Sequence, residues 1–255
     1  MTDRTALITG AGSGIGQATA VRFAELGYRV AICGRSESNL RATMALLPAD
    51  SLSFECDVAD AARVDAMFEA IDGSWGRLDV LVNNAARYDH RAPFLELTDE
   101  QWEDILQVNI MGVVRCSRAA ARIMSRHDGG RIINLTALQR ERPIPGWSAY
   151  AASKAAIATI TRSMAVELSS AGILVNAVEP GAIAAWVSPD DIDGASASLL
   201  ERMGRPEEVA GVIAFLASED AGFVVGETIR ADGGRTLMPR PDPQKLNQDK
   251  KGNHG

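Results

Sequence analysis

The chain has 255 residues, enough for one large α/β domain with a complete hydrophobic core. Its net charge of −7 and pI near 5.1 provide no basic field for a phosphate backbone, which excludes nucleic acid as the main partner. Its three cysteines lack CxxC spacing and suggest neither a zinc site nor a disulfide framework, so no metal is expected.

The cellular compartment is predicted from signals that the sequence lacks. No run of 18 apolar residues is present to span a bilayer, and the first strand begins too early for a signal peptide to precede it. We therefore expect a soluble, cytoplasmic protein without a membrane partner.

The first predicted strand, Thr5–Thr9, breaks into a glycine-rich turn. The turn contains Gly10, Gly12, Gly14 and Gly16 and leads into a helical pattern of apolar residues. The order strand, turn, helix aims backbone N–H groups and a helix N-terminus at a phosphate. The pattern predicts a pyrophosphate site, and the alternative is a glycine-rich turn without a ligand.

The second predicted strand, Tyr28–Cys33, is followed by Gly34 and Arg35. Many NAD-binding folds place an acidic residue here for the ribose hydroxyls, and that acid is missing. Arg35 at this position favours NADP(H) over NAD(H), because its guanidinium can hold a 2′-phosphate. Alternatively, Arg35 is a solvated charge before a helix over 36–47, with Ser36 as its N-cap.

Polar residues also follow the third and fourth predicted strands. Leu52–Cys56 ends at Asp57, whose carboxylate can accept from an adenine amine or cap a helix over 59–71. Leu78–Val82 precedes Asn83-Asn84-Ala85-Ala86. Small residues there let the backbone approach a ligand, and the two amides can fix neighbouring strands.

Two helical segments carry candidate catalytic residues. Asn109 lies within the helical pattern of 100–124, where its amide can hold a water or a backbone carbonyl at a bend. Tyr150 and Lys154 stand at i and i+4, on one face of a helix that begins near Ser148. An ammonium beside a phenol lowers the phenol pKa, so the pair can move a proton. The alternative is a surface tyrosine with a solvated lysine.

Three further strands complete the pattern, at 131–136, 173–178 and 227–231, and a helix begins at Pro206. Strands that alternate with helices predict an α/β fold of one domain, in which a parallel sheet is covered on both faces. Such sheets bind ligands beyond the carboxyl ends of their strands, where all the motifs above fall. The polar tail 239–255 is expected to be disordered.

The chain resembles the short-chain dehydrogenases/reductases, of the kind that includes 3-oxoacyl carrier protein reductases. The resemblance runs from about Thr5 to Gly234. It rests on motifs that occur in the family's order: Thr9-Gly10-x-x-x-Gly14-x-Gly16, Asp57-Val58, Asn83-Asn84-Ala85, Asn109, Tyr150-x-x-x-Lys154, Pro180-Gly181 and Asp232-Gly233-Gly234.

The resemblance implies a Rossmann-type, doubly wound, seven-stranded parallel sheet over 1–238, and hydride transfer to or from a nicotinamide. It implies Tyr150 as acid/base, Lys154 as the residue that lowers its pKa, and Asn109 as the anchor of a proton-relay water. It also implies a homotetramer or homodimer. The cofactor-binding residues that it implies are Gly10, Ser13, Gly14, Ile15, Gly16, Arg35, Asp57, Val58, Asn84, Ala85, Tyr150, Lys154, Pro180, Gly181 and Ile183.

Three positions depart from the family pattern. Ala137 stands thirteen positions before the tyrosine, where the family has a serine that hydrogen-bonds the substrate oxygen. Thr136 could replace that serine only if the strand has ended or bulged there. Ala86 stands where glycine is common, and Ala185 where a threonine would contact the nicotinamide carboxamide.

The substrate side is predicted from two charged loops and a lid. The loops 87–91 and 139–142 carry four arginines and a histidine, which favours an anionic substrate. The alternative is a set of solvated charges partly paired with Asp89 and Glu141. The Ser- and Ala-rich segment 182–200, with Trp186, fits a mobile substrate lid.

These observations predict an NAD(P)-dependent oxidoreductase that interconverts a secondary alcohol and a ketone or aldehyde. Because residue 137 is alanine, two alternatives stay open. One is a family member with non-redox chemistry, such as an elimination, isomerisation or aldol-type step. The other is a nucleotide-binding protein without catalysis.

Overall fold

The computed structural model describes residues 4–184 and 198–238. Its seven strands form one parallel sheet in the order β3-β2-β1-β4-β5-β6-β7, which confirms the predicted doubly wound α/β fold. The strands are β1 Thr5–Thr9, β2 Arg29–Gly34, β3 Leu52–Glu55, β4 Val80–Asn83, β5 Gly130–Leu135, β6 Ile173–Pro180 and β7 Thr228–Ala231.

Seven α-helices connect the strands within the described ranges. They are α1 Gly14–Glu25, α2 Glu37–Met44, α3 Ala61–Trp75, α4 Asp99–Leu106, α5 Val113–Met124, α6 Ser148–Leu168 and α7 Pro206–Ala217. A π-helical segment, Gln107–Gly112, joins α4 to α5. No helix in the described ranges is long and apolar enough to cross a membrane.

Alternating side chains of the buried strands fill two separate cores, one on each face of the sheet. In β1, Ala6 and Ile8 belong to the core beneath α1 and α7, whereas Leu7 belongs to the core beneath α3, α5 and α6. Leu7 lies in register with Ala31 on one side and Leu81 on the other. Phe23 of α1 is fully buried in the first core, and burial of such a side chain contributes about 1.5–3 kcal/mol. The sheet is therefore packed on both faces by buried apolar side chains.

Local signals explain most of the element boundaries. Ser36 caps α2, as predicted, by accepting from the Asn39 N–H at 3.4 Å. Of the two roles considered for Asp57, capping of the following helix is wrong, because α3 begins at Ala61 and is capped by Asp60. Asp57 instead accepts from the Ala59 N–H at 2.9 Å, so its carboxylate shapes the turn after β3.

The strand order reverses at β1, whose neighbours are β2 and β4. At such a switch point the connections leave in opposite directions and open a crevice at the carboxyl ends of the strands. The glycine turn follows β1 and the Asn-Asn-Ala segment follows β4, so both line this crevice. The predicted tail 239–255 and the central part of the predicted lid, 185–197, lie outside the described residues.

Candidate active site

The glycine turn after β1 is packed so closely that it excludes side chains. Gly10 has a φ of +65°, and a Cβ on it would lie 2.8 Å from the Ala85 Cα. A Cβ on Gly16 would lie 2.3 Å from the Gly10 carbonyl oxygen and 2.5 Å from the Asn84 Nδ2. Real Cβ atoms do not approach so closely, so glycine is required at both positions.

Hydrogen bonds fix this turn to the segment after β4. The Thr9 Oγ1 accepts from the N–H groups of Asn84 and Ala85, each at 3.0 Å, and donates to the Val82 carbonyl at 3.3 Å. The Asn84 side chain donates to the carbonyls of Thr9 and Gly10 at 2.9 and 3.0 Å. The predicted residues Gly10, Asn84 and Ala85 therefore form one unit at the switch point.

The residues at the start of α1 fit an anionic group. Ser13 is the N-cap, but its exposed side chain makes no capping hydrogen bond. The N–H groups of Gly14, Ile15 and Gly16 form the first turn of the helix, where positive dipole charge is concentrated. An uncapped helix N-terminus beside a cradle that a Cβ would fill is the arrangement that a pyrophosphate needs.

The other predicted coenzyme residues lie along the same edge of the sheet. Arg35 follows β2 and is exposed, and no described residue forms an ion pair with it. Asp57 and Val58 follow β3. Pro180 ends β6, and the Gly181 N–H donates to the Ala231 carbonyl at 3.0 Å. The side chains of Val58 and Ile183 are buried, at 5% and 2% exposure.

Tyr150 and Lys154 lie on the buried face of α6. Tyr150 is 7% exposed and Lys154 is 3% exposed. The Lys154 Nζ donates to the carbonyl of Leu135, the last residue of β5, at 2.7 Å and lies 5.6 Å from the centre of the Tyr150 ring. The alternative of a surface tyrosine with a solvated lysine is therefore wrong.

Burial controls the protonation of this pair. It raises the pKa of Tyr150 above its ordinary value, and the nearby Tyr88 phenol adds in the same direction. Burial also lowers the pKa of Lys154 to about 7. We expected the lysine to lower the phenol pKa, and in this structure desolvation outweighs that effect.

Asn109 lies in the π-helical segment and is fully buried. Its Oδ1 accepts from the Arg87 N–H at 2.7 Å, and its Nδ2 donates to the Arg87 carbonyl at 3.1 Å and to the Ser153 Oγ at 2.9 Å. Ser153 in turn donates to the Tyr150 carbonyl at 2.7 Å. The amide therefore holds a backbone segment at the bend, the second of the two roles that we considered. It also connects the loop after β4 to the helix of Tyr150.

Most of the arginines in the two charged loops are paired. Arg87 contacts Asp104 at 2.8 Å and Asp89 at 3.7 Å, as the alternative of partly paired surface charges predicts. Arg142 donates to the carbonyls of Arg235 and Met238 at 3.0 and 2.9 Å. These side chains are therefore held by the protein itself.

Arg140 belongs to a closed set of four charged residues that we call the charge ring. Arg140 and Arg230 each contact both Glu141 and Glu179. Arg230 lies 2.6 Å from Glu141 and 2.5 Å from Glu179, which is fully buried. Two positive and two negative charges cancel within the ring, so Arg140 is not free to bind an anion.

An aromatic cluster lies beside Tyr150. The rings of Tyr88 and Trp147 are stacked, with centroids 6.4 Å apart and planes inclined by 8°, and Trp147 meets the Tyr150 ring edge-on at 5.2 Å. The Arg91 guanidinium lies 5.6 Å from the centre of the Trp147 ring. Among the described residues Arg91 has neither an ion-pair partner nor a carbonyl contact, unlike Arg87, Arg140 and Arg142 of the same two loops. No group of His, Cys, Asp and Glu suited to a metal occurs in the described ranges.

Comparisons with known proteins agree with this geometry. A family model described as enoyl-(acyl carrier protein) reductase matches residues 10–236. The chain belongs to the short-chain dehydrogenase/reductase family. The short-chain reductase protein NovJ of Streptomyces niveus is 38% identical over 91% of this chain and 94% of its own length. The 3-oxoacyl-[acyl-carrier-protein] reductase FabG of Staphylococcus aureus is 37% identical over 91% of this chain and 97% of its own.

Solved structures of this family share the whole fold. A candidate short-chain alcohol dehydrogenase from Sinorhizobium meliloti has a TM-score of 0.88 at 33% identity and covers 94% of this chain and 98% of its own. A short-chain dehydrogenase/reductase family protein has a TM-score of 0.84 at 32% identity, over 92% and 98% of the two chains. The protein is thus an NAD(P)-dependent oxidoreductase of this family, as predicted.

The departures from the short-chain dehydrogenase/reductase pattern are located as follows. Ala137 is 3% exposed with an extended backbone, so a methyl group occupies the position of the family's serine. Thr136 follows the end of β5, but its buried hydroxyl donates to the Val178 carbonyl at 3.1 Å and is committed there. Ala86 is partly buried, and Ala185 lies outside the described residues.

Sequence reasoning missed three residues of this site. Thr9 lies in the glycine motif and Ser153 in the Tyr150-x-x-x-Lys154 motif, but neither was given a role. The one sequence feature that points to Ser153 is its position directly before Lys154. Tyr88 was noted as part of a charged loop. Its stacking on Trp147 joins residues 59 positions apart and leaves no periodic signal.

Proposed function

We propose that this protein interconverts a secondary alcohol and a ketone or aldehyde, with Tyr150 as the acid/base. The observation that carries this proposal is the buried Tyr150/Lys154 pair at the same sheet edge as the glycine cradle. The bound coenzyme supplies or accepts the hydride. Tyr150 transfers a proton to or from the substrate oxygen, a contribution of about 10²- to 10⁴-fold in rate.

The protonated form of Tyr150 can act as the general acid of carbonyl reduction. The raised pKa of Tyr150 keeps its phenol protonated near neutral pH, so it is ready to act as a general acid. The pKa of Lys154, about 7, allows the amine to gain or lose a proton in the same pH range. Lys154 would return a proton to Tyr150 after each turnover and hold the nicotinamide ribose. Asn109 would anchor a proton-relay water, through its backbone carbonyl or its Oδ1, because both donors of its amide are occupied.

A Tyr150→Phe variant tests the reaction class. Turnover, followed by reduced-nicotinamide absorbance with a panel of carbonyl compounds, should fall by about 10²- to 10⁴-fold while coenzyme affinity is retained. Absence of redox turnover in the wild type would favour the non-redox alternative. Full activity of the variant in any assay would favour a role without the phenol.

We propose that NADP(H) is preferred over NAD(H). Arg35 supports this preference because it is exposed, follows β2 and has no ion-pair partner among the described residues. Arg35→Asp should weaken NADP(H) binding and strengthen NAD(H) binding, measured by coenzyme fluorescence. Arg162→Asp, the same charge change at an exposed position of α6, should leave the ratio of the two affinities unchanged. An unchanged ratio in Arg35→Asp would contradict the assignment.

We propose an anionic substrate, recognised by Arg91. Of the arginines predicted for this role, Arg91 is the one that the described structure leaves without an ion pair or carbonyl contact. Gly146 and Trp147 position it, since a Cβ on Gly146 would lie 3.2 Å from the Arg91 Cγ. Carboxylated substrates should have a lower KM than neutral analogues, and Arg91→Gln should remove the difference. Equal KM values in the wild type would refute this assignment.

Three broader proposals concern the whole chain. We propose that the catalytic domain spans 1–238 and functions in the cytoplasm as a homodimer or homotetramer. Val166 on α6 is 81% exposed and Phe223 fully exposed, so apolar surface is available for assembly. Light scattering of the purified protein tests the assembly, and a monomer at micromolar concentration would refute it.

A further inference from the structure

The substrate oxygen in the proposed reaction lacks one expected hydrogen-bond donor. Ala137 has no hydroxyl, and the hydroxyl of Thr136 is bonded to the Val178 carbonyl. Removal of a single donor to a reacting oxygen costs about 10²- to 10³-fold in rate in comparable sites. A working enzyme therefore needs a donor from another part of the crevice, and this inference rests on the function proposed above.

The loop after β4 is held firmly enough to supply that donor. Asn109 binds both the N–H and the carbonyl of Arg87. The Arg87 side chain contacts the Asp104 carboxylate at 2.8 Å, and the His90 Nε2 contacts the same carboxylate at 3.1 Å. These anchors flank Tyr88 on both sides. The backbone of Tyr88 is thus fixed to the π-helical segment and to α4.

The ring of Tyr88 belongs to the aromatic cluster that also contains Tyr150. It stacks on Trp147, and Trp147 contacts Tyr150 edge-on, so one ring separates the two tyrosines. The Tyr88 phenol is close enough to Tyr150 to contribute to the raised pKa of Tyr150. The described residues offer the Tyr88 hydroxyl no hydrogen-bond partner. The residue as a whole is 46% exposed, so Tyr88 can be reached from the solvent.

We propose that the Tyr88 hydroxyl donates the second hydrogen bond to the substrate oxygen, the role that residue 137 cannot fill in this chain. A phenol extends much farther from the backbone than a serine hydroxyl, so the donor can come from the loop after β4 instead of from β5. Tyr88 only donates this hydrogen bond, and the transferred proton is still that of Tyr150. Tyr88 is then a catalytic residue for the same reaction.

Two substitutions and their combination test this proposal. Tyr88→Phe keeps the ring and its stacking but removes the hydroxyl, so kcat should fall by about 10²- to 10³-fold. Coenzyme affinity and the unfolding midpoint should not change. Ala137→Ser restores the family's donor. In the Ala137→Ser background, Tyr88→Phe should cost less than tenfold, because the serine replaces the lost hydrogen bond.

The outcomes separate this proposal from the function on which it rests. An effect of Tyr88→Phe below about threefold in the wild-type background would overturn the role of Tyr88, as would an equal loss in both backgrounds. Activity that depends on Tyr150 but not on Tyr88 would leave the proposed function intact. A wild type without redox turnover would overturn the proposed function and, with it, the role of Tyr88.

Discussion

Replacing Thr9 by valine tests how the crevice is held open at the switch point. Thr9 is 1% exposed, and its hydroxyl accepts from two backbone N–H groups. The substitution keeps the shape of the side chain and removes this hydroxyl. The Asn84 N–H keeps a second acceptor, the Val82 carbonyl at 3.2 Å. The Ala85 N–H keeps none among the described residues. One unsatisfied donor costs about 1–3 kcal/mol, so the free energy of unfolding should fall by that amount.

Thr136→Val is the matched control for this change. Its hydroxyl is also buried, but the Val178 carbonyl that accepts from it also accepts from the Thr136 N–H at 2.9 Å. Loss of the hydroxyl therefore strands no backbone group, and the cost should stay below about 1 kcal/mol. Urea unfolding of both variants at one protein concentration measures the difference. If Thr9→Val were no more destabilising than Thr136→Val, the Thr9 hydroxyl would not be what secures Ala85.

Three further substitutions test other parts of the structure. Gly16→Ala should cost about 1–3 kcal/mol of unfolding free energy and weaken coenzyme binding, because its Cβ meets backbone atoms. Gly211→Ala in α7 is the control, because a Cβ there meets nothing within 4 Å, and it should raise the free energy of unfolding by up to about 1 kcal/mol. Equal effects of Gly16→Ala and Gly211→Ala in a urea titration would refute the steric account. Glu179→Gln should lower the free energy of unfolding by about 3–5 kcal/mol, since it leaves two arginines of the charge ring without their buried partner. Glu25→Gln, in an exposed ion pair, should change it by less than about 0.5 kcal/mol. Burial lowers the pKa of Lys154 from 10.5 to about 7, so the unfolded chain binds more protons between these values and stability rises with pH there, by up to about 1.4 kcal/mol per pH unit. Lys154→Met should remove this slope between pH 7 and 9, and parallel stability profiles for the two proteins would contradict it.

The fold could be predicted from the sequence because its signals are local. Apolar runs separated by glycine turns and amphipathic helices located all seven strands, with boundaries that differ from the observed ones by at most two residues. Ser36 was predicted correctly as a cap because its hydroxyl acts on a residue three positions along. The capping alternative for Asp57 was wrong, because Asp60 offers an equivalent carboxylate closer to the first turn of α3.

The charge balance of the site could not be predicted in the same way. Arg140 and Glu179 are 39 residues apart, and their contact exists only because the loop after β5 folds over β6. We expected the Lys154 ammonium to lower the pKa of Tyr150, but the outcome depends on how deeply the two side chains are buried. The i, i+4 spacing does not encode burial. Desolvation of both members of the pair decided the direction of the pKa shift.

The charge ring limits how this enzyme can change its specificity. Residues 140 and 141 belong to the loop between β5 and α6, whereas their partners belong to β6 and β7. Any exchange that alters the charge of this loop therefore leaves an excess charge next to a fully buried carboxylate. Directed evolution of the loop should therefore yield compensated double substitutions that combine position 140 or 141 with position 179 or 230.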